Sequence, residues 1–290
     1  MNEALTYTAE DLKPFLNGRH IDDVWSEYER TGYVIFPSLM DDGGIRRVRN
    51  ALVPYLNQKG RNDFEGFKSN RVYALLAKNP DVFSDMVLHP LALYFAEREL
   101  GRSCLLSALL AINLHPGETV QPWHCDDQQV MIPRPRPTFG VSTFWTIDPM
   151  TEQNGATEII PGSHLWENEG ALTFERDAEL FDGAKERDVN HDPAPHPDMI
   201  KAVLPAGSLM ILKSSVYHRG GANRSDKSRL IVTPQYCAGW SRQLENMVLA
   251  VPPEKAAKLP KRVRELLGYN IHDFFMGYVD GMHPEKTLNL

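Results

Sequence analysis

Residues 207–218 read G-S-L-M-I-L-K-S-S-V-Y-H, a glycine and a short apolar run that ends in polar residues and a histidine. An apolar run of this length, preceded by a turn residue, is typical of a buried strand. Comparable runs fill much of the chain after Gly101, with Gly, Pro and Asn between them. They are L-L-S-A-L-L-A-I-N-L-H (105–115), V-Q-P-W-H-C-D (120–126), T-F-G-V-S-T-F-W-T-I (138–147), A-T-E-I-I (156–160), K-A-V-L (201–204) and R-L-I-V-T-P-Q-Y-C (229–237). Several short strands with this punctuation predict a mainly β sandwich or barrel.

The first hundred residues show helical spacing instead. Apolar residues recur on one face of a segment that ends at Gly32, and Y-V-I-F-P-S-L-M (33–40) then predicts a short buried strand. A further helix is expected to start after Asp42, and another to run unbroken from Pro80 to Gly101.

The predicted domain organisation follows from this change of pattern. We expect one domain over residues 1–290, with a mainly helical part at 1–101, a strand-rich core at 102–240 and a helical extension at 241–290. Residues 166–200 are rich in charge and proline and would interrupt the core as a long insertion, such as a lid over a site.

Composition narrows the class of protein. The formal net charge is −7 and the basic residues are scattered, so neither nucleic acid nor an anionic membrane surface is an expected partner. No apolar run reaches the length of a membrane span, and the first residues lack the layout of a signal peptide. The three cysteines form no C-x-x-C pair, which predicts free thiols in a reducing compartment and a cytoplasmic protein.

The sequence Q-P-W-H-C-D-D-Q (121–128) places a histidine and a carboxylate one residue apart. In a strand, His124 and Asp126 would project from the same face while Cys125 points away, and such a pair can hold one edge of a divalent metal. A hydrogen-bonded His-Asp pair on a polar face would have the same spacing. Among ten histidines, His218 is the best candidate for a third ligand, because it ends a buried strand and a turn follows it.

Two histidines and one carboxylate on one face of an octahedron leave three positions open, as in non-haem Fe(II) oxygenases. If 2-oxoglutarate binds there, its distal carboxylate needs a fixed cation, and arginine suits this role because it binds carboxylates in a bidentate manner. Arg229 fits, since a hairpin after His218 would return it on the metal's side. Arg219 and Arg224 are expected to be solvated in the turn.

These motifs together resemble the phytanoyl-CoA dioxygenase family of Fe(II)/2-oxoglutarate-dependent oxygenases. The resemblance rests on H-C-D (124–126), E-Q-N-G-A-T-E-I-I-P-G-S-H (152–164) and H-R-G-G-A-N-R (218–224), with an arginine eleven positions after the last histidine. R-V-Y-A-L-L-A-K (71–78) and V-L-H-P (87–90) also look like members of this family.

The resemblance implies a double-stranded β-helix, a cupin-like jelly roll that is mainly β with flanking helices. It implies that His124, Asp126 and His218 bind Fe(II) and that Arg229 binds 2-oxoglutarate. Gln121 and Thr157 would also contact the co-substrate, although Gln121 needs a bend at Pro122 to share a face with His124. His164 is expected to be a turn residue, and Asp127 to face away from the metal.

The function that the resemblance implies is oxidation of a small organic molecule by Fe(II), 2-oxoglutarate and O2, with release of succinate and stimulation by ascorbate. Retention of Asp126 favours hydroxylation, desaturation or another oxygenase outcome over halogenation. The aromatic residues and the insertion favour an apolar substrate. Two alternatives stay open: a zinc hydrolase with Glu118 or Glu158 as base, and a cupin-like barrel that binds a metal or small molecule without turnover.

Overall fold

The computed structural model describes residues 4–57, 59–60, 65–167, 195–273 and 275–288. Most of the predicted insertion therefore lies outside the described residues. The strands of the described chain are β1 (Tyr33–Phe36), β2 (Ser69–Val72), β3 (Leu105–Leu114), β4 (Gly140–Thr146), β5 (Glu158–Ile159), β6 (Ile200–Lys201), β7 (Leu209–Lys213), β8 (His218–Arg219) and β9 (Arg229–Cys237).

These strands form two antiparallel sheets. The larger sheet has six strands in the order β1-β7-β4-β9-β3-β2, and the smaller one has three in the order β6-β5-β8. Strands far apart in the chain are neighbours, as in the pairing of β9 with both β3 and β4. Both sheets contribute residues to one cavity, described below.

The larger sheet separates a helix-packed core from the cavity, and β9 shows how the sequence achieves this. Leu230, Val232 and Tyr236 belong to the main hydrophobic core, while Arg229 and the alternating residues after it line the cavity. Because side chains alternate faces along a strand, one run of residues serves both layers. A strand of this sheet therefore buries polar residues on its cavity face as well as apolar residues on its core face.

Nine α-helices lie in the described parts of the chain, most of them in the first hundred residues. They are α1 (Ala9–Leu12), α2 (Ile21–Thr31), α3 (Asp42–Leu52), α4 (Leu75–Lys78), α5 (Pro80–Val87), α6 (Pro90–Leu100), α7 (Met247–Ala250), α8 (Pro253–Ala256) and α9 (Lys261–Leu267). The seven buried residues of α6, from Leu91 to Glu97, are consecutive, so this helix is buried on almost every side. No helix in these ranges is both long and apolar enough to cross a membrane.

The helix predicted from Pro80 to Gly101 is broken in the structure. It is two helices, α5 and α6, that meet at Pro90. A proline inside a helix lacks the N–H needed for the helical hydrogen bond and clashes with the preceding turn, so the chain restarts with Pro90 as the first residue of α6. The predicted end at Gly32 is confirmed, with φ at 81° in the left-handed region.

Candidate metal centre

Three side chains from two distant segments converge at one side of the cavity. His124, Asp126 and His218 each offer one ligand atom, and these atoms all lie within 4.8 Å of one another. The backbone holds the segments together, because the His124 N–H donates to the His218 carbonyl at 3.1 Å and the reverse bond is 2.9 Å long. The structure thus brings together the three residues that the sequence singled out.

The tautomer of both imidazoles follows from their hydrogen bonds. Nδ1 of His124 lies 2.9 Å from the Pro122 carbonyl oxygen, and Nδ1 of His218 lies 3.1 Å from that of Val216. A carbonyl only accepts hydrogen bonds, so each Nδ1 carries the proton and each Nε2 keeps a lone pair. Backbone carbonyls are common partners for the free nitrogen of metal-binding histidines.

The carboxylate of Asp126 is also held in one orientation. Its Oδ2 accepts a hydrogen bond from the Ser142 hydroxyl and another from Gln235 Nε2 at 3.3 Å. Its Oδ1 lies 3.6 Å from His218 Nε2. One oxygen is therefore occupied by two donors and the other faces the histidines, an arrangement suited to a ligand that uses a single oxygen.

Electrostatics keep the site ready for a cation. Burial lowers the pKa of His124 to about 4, and the nearby His218 adds to this effect while Asp126 opposes it. The imidazole is consequently neutral at physiological pH, which is the form that binds metals. Two neutral imidazoles and one carboxylate form the donor set of a non-haem Fe(II) facial triad.

The prediction of a regular strand around H-x-D is wrong. Only a single bridge at His124 pairs with the smaller sheet, and the chain then turns, with the Gln128 N–H donating to the Cys125 carbonyl at 3.1 Å. Pro122 lacks an N–H and so cannot extend a ladder. Asp127, the residue after Asp126, is buried and forms an ion pair with Arg136 at 2.8 Å. That ion pair fastens the loop that follows Asp126.

A cavity of about 390 Å³ extends from these ligands to Arg229. Arg229 is buried, and its Nη2 donates to the Gly155 carbonyl at 2.5 Å. Its Nε and Nη1 have no partner among the described residues. Burial lowers its pKa to about 10, which leaves it a cation at neutral pH. A buried guanidinium with two unsatisfied donors requires an anionic ligand.

Gly155 shows why the predicted N-G turn matters to this end of the cavity. Its φ is +86°, and a Cβ there would approach a Leu114 methyl carbon to 2.4 Å and the Gly221 carbonyl oxygen to 2.7 Å. Only glycine tolerates both the backbone conformation and the close approach. The turn therefore places the Gly155 carbonyl where Arg229 can reach it.

The path from His218 to Arg229 differs from the predicted hairpin. β8 belongs to the smaller sheet and β9 to the larger one, so the turn between them crosses from sheet to sheet. Arg219 was expected to be solvated, but it is 1% exposed and its Nε lies 2.6 Å from Glu158 Oε2. It alternates with His218 across the strand and packs its guanidinium over the Trp123 ring. Arg224 is exposed, as expected.

Gln121 and Thr157 both line the cavity. Gln121 shares the cavity with His124 because residues 121–123 are irregular, and its Oε1 accepts the Gly220 N–H at 3.0 Å. The Thr157 hydroxyl is buried and lies 4.0 Å from Met150 Sδ. His164 bonds through Nε2 to the Glu29 carbonyl at 2.9 Å, away from the three ligands.

Arg71 is a cavity residue that the sequence reasoning missed. It lies on β2, lines the cavity, and has a buried Nε without a partner among the described residues. Its charge lowers the pKa of both His124 and Arg229, so it acts on both ends of the cavity. The sequence offers R-V-Y-A-L-L-A-K, which contains Arg71, but only the structure shows that this arginine lies on β2 and lines the cavity.

Comparison with known proteins shows the family to which the chain is related. The sequence profile of the phytanoyl-CoA dioxygenase (PhyH) family matches residues 28–231. The dioxygenase cnsJ of Penicillium expansum is 26% identical over 282 residues, which cover 87% of this chain and 78% of that protein. The dioxygenase af480 of Aspergillus fumigatus is 30% identical over 198 residues, covering 67% of this chain and 56% of that protein.

Solved structures share the fold. The epimerase SnoN, in complex with Fe3+, alpha ketoglutarate and nogalamycin RO, superposes with a TM-score of 0.58 and 20% identity, covering 76% of this chain and 84% of that one. The alpha ketoglutarate-dependent carbocyclase SnoK superposes with a TM-score of 0.54 and 16% identity, over 74% of this chain and 83% of that one. The predicted double-stranded β-helix is confirmed, and the chain belongs to the phytanoyl-CoA dioxygenase family.

Proposed function

We propose that this chain is an Fe(II)/2-oxoglutarate-dependent oxygenase that hydroxylates a small organic molecule. One observation carries the proposal: the cavity that contains the His124, Asp126 and His218 ligand atoms also contains Arg229, a buried cation with two unsatisfied donors. A metal site alone has many uses. A metal site that shares a cavity with a buried guanidinium carrying two unsatisfied donors matches a metal-chelating dicarboxylate.

The residues fit the iron and the co-substrate. His124 and His218 would donate through Nε2 and Asp126 through Oδ1, because their other polar atoms are already bonded to the protein. When bound, Fe(II) with 2-oxoglutarate and dioxygen supplies the oxidising power for attack on a C–H bond, with release of succinate and carbon dioxide.

The remaining cavity residues bind and orient. Arg229 would hold the distal carboxylate of 2-oxoglutarate in a bidentate manner, and Arg71 adds a second positive charge along the cavity. Gln121 and Thr157 would contribute hydrogen bonds to the co-substrate. The apolar walls, formed by residues such as Leu110, exclude water and so strengthen each of these polar contacts.

The structure does not favour the zinc-hydrolase alternative, because both glutamates considered as its general base are already hydrogen-bonded. Glu158 is engaged by the buried Arg219. Glu118 lines the cavity, but one oxygen accepts the Lys68 N–H and the other accepts the Thr119 N–H. Neither carboxylate is available to activate a metal-bound water without losing these bonds.

We also propose that residues 1–290 act as one catalytic domain with the three parts outlined from the sequence. β1 and β2, from the helical part at 1–101, extend the larger sheet at both edges. Leu244 and Glu245, from the part at 241–290, line the cavity. The free, buried cysteines suit the cytoplasm, where thiols stay reduced.

An anaerobic titration tests the function. Fe(II) added with 2-oxoglutarate should give a weak visible charge-transfer band, because the keto acid chelates the iron. His218→Ala should abolish the band through loss of a metal ligand. His283→Ala serves as a matched control, because this half-buried imidazole lies outside the cavity. If the wild-type protein binds Fe(II) and gives no band with 2-oxoglutarate, the oxygenase function is refuted.

A further inference from the structure

Leu244 and Glu245 form part of one wall of the cavity, and residues 243–245 are fixed against the start of β3. The Gln243 side chain donates to the Leu106 carbonyl at 2.7 Å, and the Leu244 N–H donates to the Ser107 hydroxyl at 3.0 Å. The Glu245 N–H donates to the Ser107 carbonyl at 2.8 Å. Backbone and side-chain bonds thus hold Glu245 in place.

The carboxyl group of Glu245 is only half satisfied. Its Oε1 accepts the Ala74 N–H at 2.9 Å, and the Leu109 N–H lies near the carboxyl group, but the buried Oε2 makes no hydrogen bond of normal geometry with the described residues. Burial raises the pKa of Glu245, and backbone hydrogen bonds from Leu109 and Ala74 and the charge of Lys78 offset only part of that effect. A buried carboxyl oxygen beside a cavity lacks the donor that would compensate its loss of water.

Glu245 lies at the metal end of the cavity, away from Arg229. It contacts the backbone around Leu109, whereas Arg229 pairs in register with Leu114. Five residues of strand separate these points, which is about 17 Å at the usual rise per residue. Ala108 pairs with Gln235, and Gln235 in turn touches Asp126. Glu245 therefore lies toward the end of the cavity that contains Asp126 rather than the end that contains Arg229.

The positive charges around the cavity also act on different residues. Arg71 acts on His124 and Arg229, while the charge that acts on Glu245 comes from Lys78. Glu65 and Glu118 also line the cavity, but Glu65 accepts the Tyr73 hydroxyl and Glu118 accepts the Lys68 and Thr119 N–H groups. If 2-oxoglutarate pairs with the arginines, Glu245 is the lining glutamate that keeps a buried oxygen without a hydrogen-bond partner among the described residues. The walls beside it, Ala108 and Leu110, are apolar, and Leu244 is half exposed at the mouth.

We propose that Glu245 binds a protonated amine of the substrate, so that the enzyme acts on an apolar molecule carrying an ammonium group close to the oxidised carbon. This inference rests on the proposed function, since it assigns the arginines to 2-oxoglutarate. Glu245 is a specificity-determining residue. It satisfies one charge of the substrate and takes no part in binding the metal.

Glu245→Gln is a sharp test because the amide oxygen still accepts the Ala74 N–H, while an NH2 group replaces the free oxygen. The probes are octylammonium and phenethylammonium, with octanoate and hydrocinnamate as matched anions. Binding is measured by calorimetry, in the metal-free protein and in the anaerobic complex with Fe(II) and 2-oxoglutarate. Glu254→Gln, an exposed position on α8, is the control substitution.

The ammonium probes should bind the wild-type complex more tightly than the matched anions. In Glu245→Gln they should bind roughly tenfold to a hundredfold more weakly, the range for losing one charge-assisted hydrogen bond. Glu254→Gln should bind as the wild type does. Equal binding of both probe classes by the wild type, or unchanged ammonium binding by a folded Glu245→Gln, overturns the inference while leaving the function intact. Absence of the Fe(II)/2-oxoglutarate band removes the function itself, and the inference with it.

Discussion

Replacing Arg229 by methionine should separate the stability of the protein from its affinity for 2-oxoglutarate. The side chain is 2% exposed, and burial lowers its pKa from the usual 12.5 to about 10. At about 1.4 kcal/mol per pKa unit, holding this cation without an anion costs about 3 kcal/mol of folding free energy. The wild-type protein without co-substrate carries that cost.

Methionine removes the cost and fills a similar volume with an apolar chain. It also removes the hydrogen bond to the Gly155 carbonyl, and an unsatisfied buried carbonyl costs about 1–2 kcal/mol. We therefore expect Arg229→Met without ligands to be more stable than the wild type by about 1–2 kcal/mol. The measurement is urea unfolding of both proteins, free of metal and co-substrate, with the free energy extrapolated to water.

The same substitution should nearly abolish 2-oxoglutarate binding. A bidentate carboxylate uses two charge-assisted hydrogen bonds, each worth about 1.5–3 kcal/mol, so affinity should fall by roughly two to four orders of magnitude. Titration of the anaerobic Fe(II) protein by visible absorbance measures this. Arg229→Lys keeps the charge but offers only one point of contact, so its affinity for 2-oxoglutarate should lie between that of the wild type and that of Arg229→Met. A Met variant with normal 2-oxoglutarate saturation would refute the assignment of Arg229.

Three further substitutions or treatments test the surroundings of the site. Ser142→Ala should weaken Fe(II) affinity by about tenfold to a hundredfold, because Asp126 loses a partner that orients it, and unchanged affinity in a metal titration would show that the orientation has another cause. Arg136→Met should destabilise the protein by about 3–5 kcal/mol, since it leaves the Asp127 carboxylate buried without its partner, and chemical denaturation with a loss below about 1 kcal/mol would contradict the importance of this pair. Burial raises the pKa of the Cys104 thiol to about 12, so alkylation at pH 8 should modify this residue only after unfolding, and rapid labelling of the folded protein would disprove its inaccessibility.

Local patterns in the sequence predicted the parts of this structure that depend on neighbouring residues. The alternation within β9, the turn at Gly155 and the end of α2 at Gly32 all follow from backbone preferences of a few residues. The convergence of His124, Asp126 and His218 needed more than spacing. His218 was the best of ten histidines because it ends a buried strand before a turn, and the resemblance to a family then supported the same three residues.

The incorrect predictions for the turn after His218 and for Arg219 share one physical origin. A run of residues does not show which sheet a strand joins, so the turn from β8 to β9 was interpreted as a hairpin although it crosses between sheets. The same ambiguity made Arg219 look solvated. In a two-residue strand whose neighbour His218 faces the cavity, Arg219 must face the opposite side, and there Glu158 and Trp123 bury it.

The residues that the sequence did not reveal are those whose role depends on the whole cavity. Arg71 and Glu245 lie 174 positions apart in the chain and carry opposite charges at different parts of one wall. Each has one buried polar atom, Nε of Arg71 and Oε2 of Glu245, that lacks a hydrogen-bond partner among the described residues. An unsatisfied group is costly in a folded protein unless a ligand completes it. For Arg71 and Arg229 that ligand is anionic, and for Glu245 it must be a donor, so the two ends of the cavity select two different molecules and set them side by side at the metal.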